Sequence, residues 1–286
     1  MKRFVWMASA LALAAPLVAA EAGGASPTIP IGPGSNFTIL SKATTHDALD
    51  LEVSDPVEIA FSEVRIDSGG TTGRLARAGT VVVNVDEGDA TLVVASGEAK
   101  NSGDCDTRTV VAGAAAVQSG GTLGEIRNNG SAPLTLHLTT LTPVGTLTAT
   151  TAPASCTATA PKGTTAKVLS RSTTTVPVSA QASGTTDVYV GIVRADPARS
   201  AGPWHVHPGP LFVAVDQGEL TMKVAHDGRC DVLQGSSGVG FLETPGMVHE
   251  ASNQGAQPLT FYLLGFAPSP QPLLTPRPTP AECENA

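Results

Sequence analysis

The sequence is poor in basic residues and helix signals, and beyond its first twenty residues it has no long apolar run. Lysine and arginine total 17 against 25 aspartate and glutamate residues, a formal net charge of −8. An acidic chain lacks the positive surface that attracts phosphate backbones, so nucleic acid is not expected as a partner. One short apolar run with no stop-transfer segment after it predicts that there is no membrane anchor.

The first twenty residues have the pattern of an export signal. In MKRFVWMASALALAAPLVAA, Lys2 and Arg3 precede an uncharged run rich in alanine and leucine that ends on small residues. This pattern predicts a signal peptide over 1–20 and a mature chain that begins near Glu21. We therefore expect a secreted protein, extracellular or periplasmic, whose net charge of −8 becomes −10 once Lys2 and Arg3 are removed.

The sequence also lacks the signatures of several catalytic classes. No nucleophile–base pair, glycine-rich phosphate loop or paired-carboxylate constellation in it supports a different reaction class. Valine, threonine and glycine dominate instead, in alternating stretches such as 80–85 and 187–193 that are separated by Gly, Pro, Asp and Asn. This composition and spacing predict an all-β chain of many short strands.

Comparison of the chain with itself shows two copies of one unit. ILSKATT (39–45) recurs as VLSRSTT (168–174), and VNVDEGDAT (83–91) recurs as VAVDQGELT (213–221). Repetition in the same order predicts tandem domains.

The repeat sets the expected boundaries along the chain. The N-terminal domain is expected over 39–156 and the C-terminal domain over 168–286, joined by a linker at 157–167. An extended lead is expected over 21–38, and its proline-rich part at 26–34 and a proline-rich tail at 267–280 are expected to lie on the surface.

The four cysteines follow the repeat as well. Cys105 and Cys230 come after the same hairpin of each copy, and Cys156 and Cys283 after its last strand. An even number of cysteines in an exported chain predicts disulfides. The repeat favours Cys105–Cys156 and Cys230–Cys283, although Cys105–Cys230 with Cys156–Cys283 is also symmetric and stays open.

Two stretches of the second copy carry histidines at metal-ligand spacing. WHVHPGPLF (204–212) places His205 and His207 on one face of a strand, and PGMVH (245–249) delivers His249 after a Pro-Gly turn. Three neutral imidazoles from two strands suit a divalent iron, manganese, zinc, nickel or copper ion. The alternative is a set of histidines that is solvated or packed in the core.

In these stretches the chain resembles the cupin family, whose motifs have the forms G-x5-H-x-H-x3-E-x6-G and G-x5-P-x-G-x2-H-x3-N. The matching residues are His205, His207 and Gly218 for the first motif, and Gly238, Gly246, His249 and Asn253 for the second. The resemblance implies two tandem cupin-type β-barrels of the jelly-roll kind. It also implies one metal ion in the C-terminal copy, held by the three histidines.

One departure from the family pattern is Leu211, which stands where the first motif has its glutamate. The sequence therefore predicts three histidine ligands and no fourth protein ligand, which favours an anionic co-ligand from substrate or solvent. Glu243 is a candidate substitute, but its ordinary interpretation is a solvated glutamate at a strand end.

The first copy has lost the predicted ligands. Leu75, Arg77 and Gly124 stand where the second copy has its three histidines, whereas the turn glycines are kept. The N-terminal copy is therefore expected to be structural.

Two functions are consistent with these residues. The first is a metal-dependent enzyme that oxidises, isomerises or cleaves a small polar molecule. The second is a non-catalytic module that binds a small ligand or a metal. In either case Trp204 and Tyr262 are the predicted contacts of the small-molecule ligand.

Overall fold

The computed structural model describes residues 27–77, 79–95, 105–118, 120, 122–145 and 160–284. The expected signal peptide, Cys156 and the first residues of the expected linker lie outside these ranges. Every described element is a β-strand except one turn of 3₁₀ helix at Ala281–Cys283. The all-β prediction is confirmed.

The described residues of the first half form eleven strands, which are β1 (Thr28–Gly32), β2 (Ser35–Thr45), β3 (Leu49–Val53), β4 (Val57–Thr71), β5 (Leu75–Arg77), β6 (Thr80–Glu87), β7 (Asp89–Ala95), β8 (Asp106–Val111), β9 (Ala115–Gln118), β10 (Thr122–Asn128) and β11 (Leu134–Pro143). Those of the second half also form eleven, which are β12 (Lys162–Thr174), β13 (Val178–Ala182), β14 (Thr186–Ala195), β15 (Arg199–Val206), β16 (Leu211–Gln217), β17 (Glu219–His226), β18 (Arg229–Ser236), β19 (Val239–Glu243), β20 (Val248–Asn253), β21 (Leu259–Pro268) and β22 (Thr275–Pro276).

Strand pairing repeats between the halves. In the second copy β14, β21, β16 and β19 form one sheet, and β15, β20, β17 and β18 form another. In the first copy β4, β11, β6 and β9 pair in the same order, as do β5, β10, β7 and β8. The described strands form open sheets that do not close into barrels, and the expected tandem all-β architecture of the jelly-roll kind is confirmed.

The two copies exchange their first strands. Strand β2 pairs with β14 over ten residues, and β12 pairs with β4 in return. Strand β3 of the first copy also pairs with β13 of the second. The expected lead and linker are therefore corrected at their ends, because β2 begins at Ser35 and β12 at Lys162.

A shared core joins the copies. Its fully buried side chains include Phe61 and Leu141 from the first copy and Phe212 and Phe266 from the second. A separate core fills each sandwich. Full burial of one such side chain stabilises the fold by about 1.5–3 kcal/mol, so the contact between the copies is part of what holds each copy folded.

One predicted disulfide is described in full. Cys230 and Cys283 are bonded, with an S–S distance of 2.01 Å. This bond excludes the alternative pairing of Cys230 with Cys105. The predicted partner of Cys105, Cys156, lies outside the described residues, so the Cys105–Cys156 bond stays a prediction.

Among the helices that the structure describes, none is both long enough and apolar enough to cross a lipid bilayer.

Candidate metal centre

The two histidine stretches meet because β15 and β20 are neighbours. His205 on β15 lies directly opposite His249 on β20. The register shifts between Gly202 and His205, and a bulge of this kind re-aims the side chains that follow it. His205 thereby faces the interior of the second sandwich.

The turn after β15 fixes His207. A side chain at Gly209 would clash with the carbonyl oxygen of Phe266, so only glycine fits at this point of the Pro-Gly-Pro turn. The His207 carbonyl accepts a hydrogen bond of 2.9 Å from the Gly246 amide, in the turn that precedes His249. The two motifs are thus tied together through the backbone.

The three imidazoles form one compact buried group. One ring nitrogen of each lies within 4.8 Å of the other two. His205, His207 and His249 are only 6%, 5% and 1% exposed. Nε2 of His205 and Nε2 of His207 are 3.1 Å apart.

Backbone carbonyls set the tautomer of each ring. Nδ1 of His205 donates to the Pro203 carbonyl, Nδ1 of His207 to Leu273 O at 2.8 Å, and Nδ1 of His249 to Met247 O at 3.0 Å. Because a carbonyl only accepts, each Nδ1 carries a proton, and a neutral ring then has its lone pair on Nε2. In the neutral rings, the three Nε2 atoms are therefore the available ligand atoms of this compact group.

A carboxylate joins this group, contrary to the sequence prediction. Glu243 Oε2 lies 3.1 Å from Nε2 of His207 and 3.4 Å from Nε2 of His249. Glu243 is 5% exposed, so its interpretation as a solvated strand-end residue is wrong. The short distances lack hydrogen-bond geometry, and Oε2 is left buried without a hydrogen-bond partner.

The charges in the cluster respond to one another. Burial raises the pKa of Glu243, but His249 and His207 outweigh it and hold that pKa well below its usual range. Burial lowers the pKa of His249, but the Glu243 carboxylate outweighs it and raises that pKa above 6.5. Burial, then the charges of His249 and His207, lower the pKa of His205 to about 4.

The proline-rich tail completes the surroundings of His207. Beyond supplying the Leu273 carbonyl, the tail pairs through β22 with β15, where Pro276 lies opposite His205. Leu273 is 7% exposed. This part of the tail was expected to lie on the surface, and the structure corrects that expectation because it packs against the histidine group.

The first copy has the same backbone arrangement without the ligands. Leu75 pairs with Gly124 as His205 pairs with His249. Gln118 also lies opposite Val81 as Glu243 lies opposite Leu211. The two copies therefore correspond in backbone register at these positions, and the loss of the metal site from the first copy stays a prediction.

The structure does not bring Tyr262 to the histidines. Tyr262 packs against the core between the copies, where its ring centroid is 5.9 Å from that of Phe61. Its neighbours Phe261 and Leu263 face the interior of the second sandwich instead. Trp204 is buried and precedes His205 on β15. A ligand contact for Trp204 stays a prediction.

The contributions of Leu273 and Glu243 were not predicted from the sequence. Leu273 contributes its backbone carbonyl, and the sequence gives no signal for a contact of that kind. Glu243 offered one signal, its place two residues before the Pro-Gly turn of the second motif.

Comparisons with known proteins give structural likeness at low identity. No family model matches the chain, and no curated protein does. Similar solved structures include oxalate decarboxylase from Bacillus subtilis, in a study of its Mn(II) centres. The identity is 13% and the TM-score is 0.34, and the match covers 84% of this chain and 80% of that chain. A tryptophan-to-phenylalanine variant of the same enzyme gives 14% identity, coverage of 79% and 77%, and a TM-score of 0.33.

The cupin resemblance is carried by the chain itself. Its histidines stand at the spacing of both cupin motifs, and the structure gathers them in one sandwich of a tandem all-β pair. The chain therefore resembles the cupin family in its histidine motifs and in its tandem all-β architecture, and its histidine group lies in the second copy.

Proposed function

We propose that this protein is exported and that it binds one divalent transition-metal ion through His205, His207 and His249. The observation that carries the proposal is a buried group of three imidazoles whose Nδ1 atoms all donate to backbone carbonyls, which leaves Nε2 of each ring for a ligand bond. Carbonyl partners of this kind orient histidine ligands in metal sites.

The nitrogen and oxygen atoms that meet at this site are suited to bind a cation. Lone pairs on Nε2 of His205 and His207, 3.1 Å apart, repel each other unless a positive charge lies between them. Glu243 Oε2, which is buried and lies 3.1 Å from Nε2 of His207, adds a negative charge to that demand. A metal ion satisfies all of these atoms at once, whereas one proton satisfies a single pair.

A bound metal would act as a Lewis acid toward a small polar or anionic molecule, and a redox-active metal would also supply electrons. The chain's own residues hold and orient that site. The backbone carbonyls fix the rings, and the apolar core of the second sandwich excludes water around them. Oxidation, isomerisation and lyase chemistry are the reaction classes proposed for such a site.

A second function, a non-catalytic metal module, is favoured by the burial of the site. All three histidines are at most 6% exposed, which leaves little surface for a substrate. Azide titration of the Co(II)-loaded protein separates the two functions. A change in the visible Co(II) spectrum would indicate an open position for a small anion and favour the enzyme, whereas an unchanged spectrum would favour the module.

Metal content tests the proposal directly. Purified disulfide-intact protein should bind about one equivalent of iron, manganese, zinc, nickel or copper after incubation and gel filtration. Replacement of any one of the three histidines by alanine should remove most of it, since two imidazoles rarely hold an ion against solvent. His226→Ala, at a histidine that is exposed and contacts only Asp227 among the ion pairs described, is the matched control. Full occupancy in all three single variants would contradict the proposal.

A further inference from the structure

We infer that Glu243 is the fourth ligand of this site, and that it replaces the motif glutamate from a different strand. The carboxylate that the first motif lacks at Leu211 is supplied by the residue directly across the sheet from it. This inference rests on the proposed metal site and adds a ligand to it.

Strand register carries the first step. Leu211 on β16 and Glu243 on β19 are directly opposite in an antiparallel pair. Opposite residues of such a pair project to the same face of the sheet, with their Cβ atoms about 4.5–5.5 Å apart. A carboxylate moved from one position to the other therefore still faces the interior of the sandwich.

Packing carries the second step. On β19, Phe241 packs into the core of the second sandwich and Leu242 into the core between the copies. Glu243 shares the face of Phe241 because side chains alternate along a strand. Its carboxylate consequently lies beside His207 and His249, and Leu211 fills the space next to it as core.

The Glu243 carboxylate is buried, and its burial has a free-energy cost. Removing a carboxylate from water is costly unless a cation or several hydrogen bonds compensate it. Glu243 Oε2 has no hydrogen-bond partner, although it lies 3.1 Å from Nε2 of His207. A cation bound by both Glu243 Oε2 and His207 Nε2 would compensate this buried charge.

The first copy supplies an internal comparison. Gln118 occupies the place of Glu243, opposite Val81, in the sandwich that has Gly124 in place of His249. A neutral amide of the same length therefore fits this site in the fold. The carboxylate is present only in the copy that has the histidines.

The fourth ligand changes the chemistry expected of the metal. Three imidazoles leave a divalent ion with its full charge, whereas one carboxylate reduces that charge by one unit. Carboxylate oxygen suits manganese, and imidazole suits zinc and copper. Removal of Glu243 should therefore weaken manganese binding more than zinc binding.

The direct test compares metal dissociation constants for the wild type, Glu243→Gln and Glu250→Gln. Glu243→Gln keeps the shape and introduces the residue that the first copy uses, so we expect it to fold. It should weaken Mn²⁺ binding by at least about tenfold, with a smaller loss for Zn²⁺. Glu250→Gln removes a carboxylate beside His249 in sequence that instead contacts Lys223 at 3.6 Å, and its binding should be unchanged.

A ligand swap provides the second test. The double variant Leu211→Glu/Glu243→Leu places the carboxylate where the family motif has it, and should bind Mn²⁺ more tightly than Glu243→Leu alone. The Mn²⁺ electron paramagnetic resonance spectrum of each loaded variant reports the ligand set independently of affinity. Circular dichroism of each variant identifies any that has not folded, and the comparison is made among the folded ones.

The outcomes separate the two claims. If Glu243→Gln binds Mn²⁺ as tightly as the wild type and gives the same resonance spectrum, while the histidine variants lose metal, the fourth ligand is wrong and the three-histidine site stands. If the wild type binds no metal at all, both claims fail.

Discussion

At the scale of single residues, the asparagine of the second motif is structural in both copies. Asn253 donates to the carbonyls of Ala195 and Gln257 and accepts from the Gly255 amide. Asn128 makes the equivalent three bonds in the first copy. Both side chains are buried, at 0% and 1% exposure, so the networks pin the turn before the last strand of each copy.

Asn253→Ala should therefore destabilise the protein by about 3 kcal/mol, because it removes three bonds and leaves buried carbonyls unpaired. Asn128→Ala should cost a similar amount, although that copy has no metal ligands. Urea denaturation of both variants measures the effect. Unchanged stability in either variant would show that solvent replaces these bonds.

Protonation of the histidines sets the expected pH dependence of the site. Imidazole must be neutral to coordinate, so protons compete with the metal. The pKa of His249 is raised above 6.5 by Glu243, and that of His205 is lowered to about 4, mainly by burial. As pH falls, His249 is therefore protonated before His205.

Metal affinity should begin to fall above pH 6.5 and continue to fall as the solution becomes more acidic. Glu243→Gln should move the onset to lower pH, because it removes the charge that raises the pKa of His249. Dissociation constants between pH 8 and pH 5 measure both effects. An affinity that is constant over this range would contradict protonation of the ligands.

At the scale of elements, the C-terminal tail links the disulfide to the site. Cys283 lies at the end of the tail and is bonded to Cys230 on β18. Between β21 and Cys283, the tail supplies the Leu273 carbonyl to His207 and pairs with His205 through β22. The covalent anchor therefore holds in place a segment that orients two ligands.

Loss of this anchor should weaken metal binding without removing a ligand. Loss of a group that orients a metal-bound histidine typically lowers metal affinity by about 10- to 100-fold. We expect the loss of affinity in the Cys230→Ser/Cys283→Ser variant to fall within that range. Isothermal titration with Zn²⁺ measures it, on protein shown by circular dichroism to be folded. Wild-type affinity in the variant would show that the tail keeps its place without the bond.

Some of this arrangement could be predicted from sequence, and some could not. The histidines were predictable because their spacing within two short motifs fixes their place on neighbouring strands. The role of Glu243 depends on the register of β19 against β16, and a slip of one residue would turn its side chain to the other face. The exchange of strands was not predictable either. Strands β2 and β12 have the same local sequence pattern, so each could pair with a strand of either copy.

At the scale of the whole molecule, the exchange of strands and the shared core make the copies interdependent. Strands β2 and β12 each complete a sheet of the other copy. Phe61, fully buried, contributes from the first copy to the core that also holds Phe212 and Phe266 of the second. A chain joined in this way should unfold as one unit, unlike two domains on a linker.

Phe61→Ala tests this coupling at a distance from the histidines. Loss of a buried phenylalanine costs about 3–5 kcal/mol, and in a single cooperative unit that cost lowers the unfolding temperature of both copies. Release of metal from the second copy and the loss of circular dichroism should therefore shift together to lower temperature. The variant would contradict this coupling by unfolding in two steps, with metal release at the wild-type temperature. The second copy would then be stable without the first, and the shared core would be a contact between independent domains.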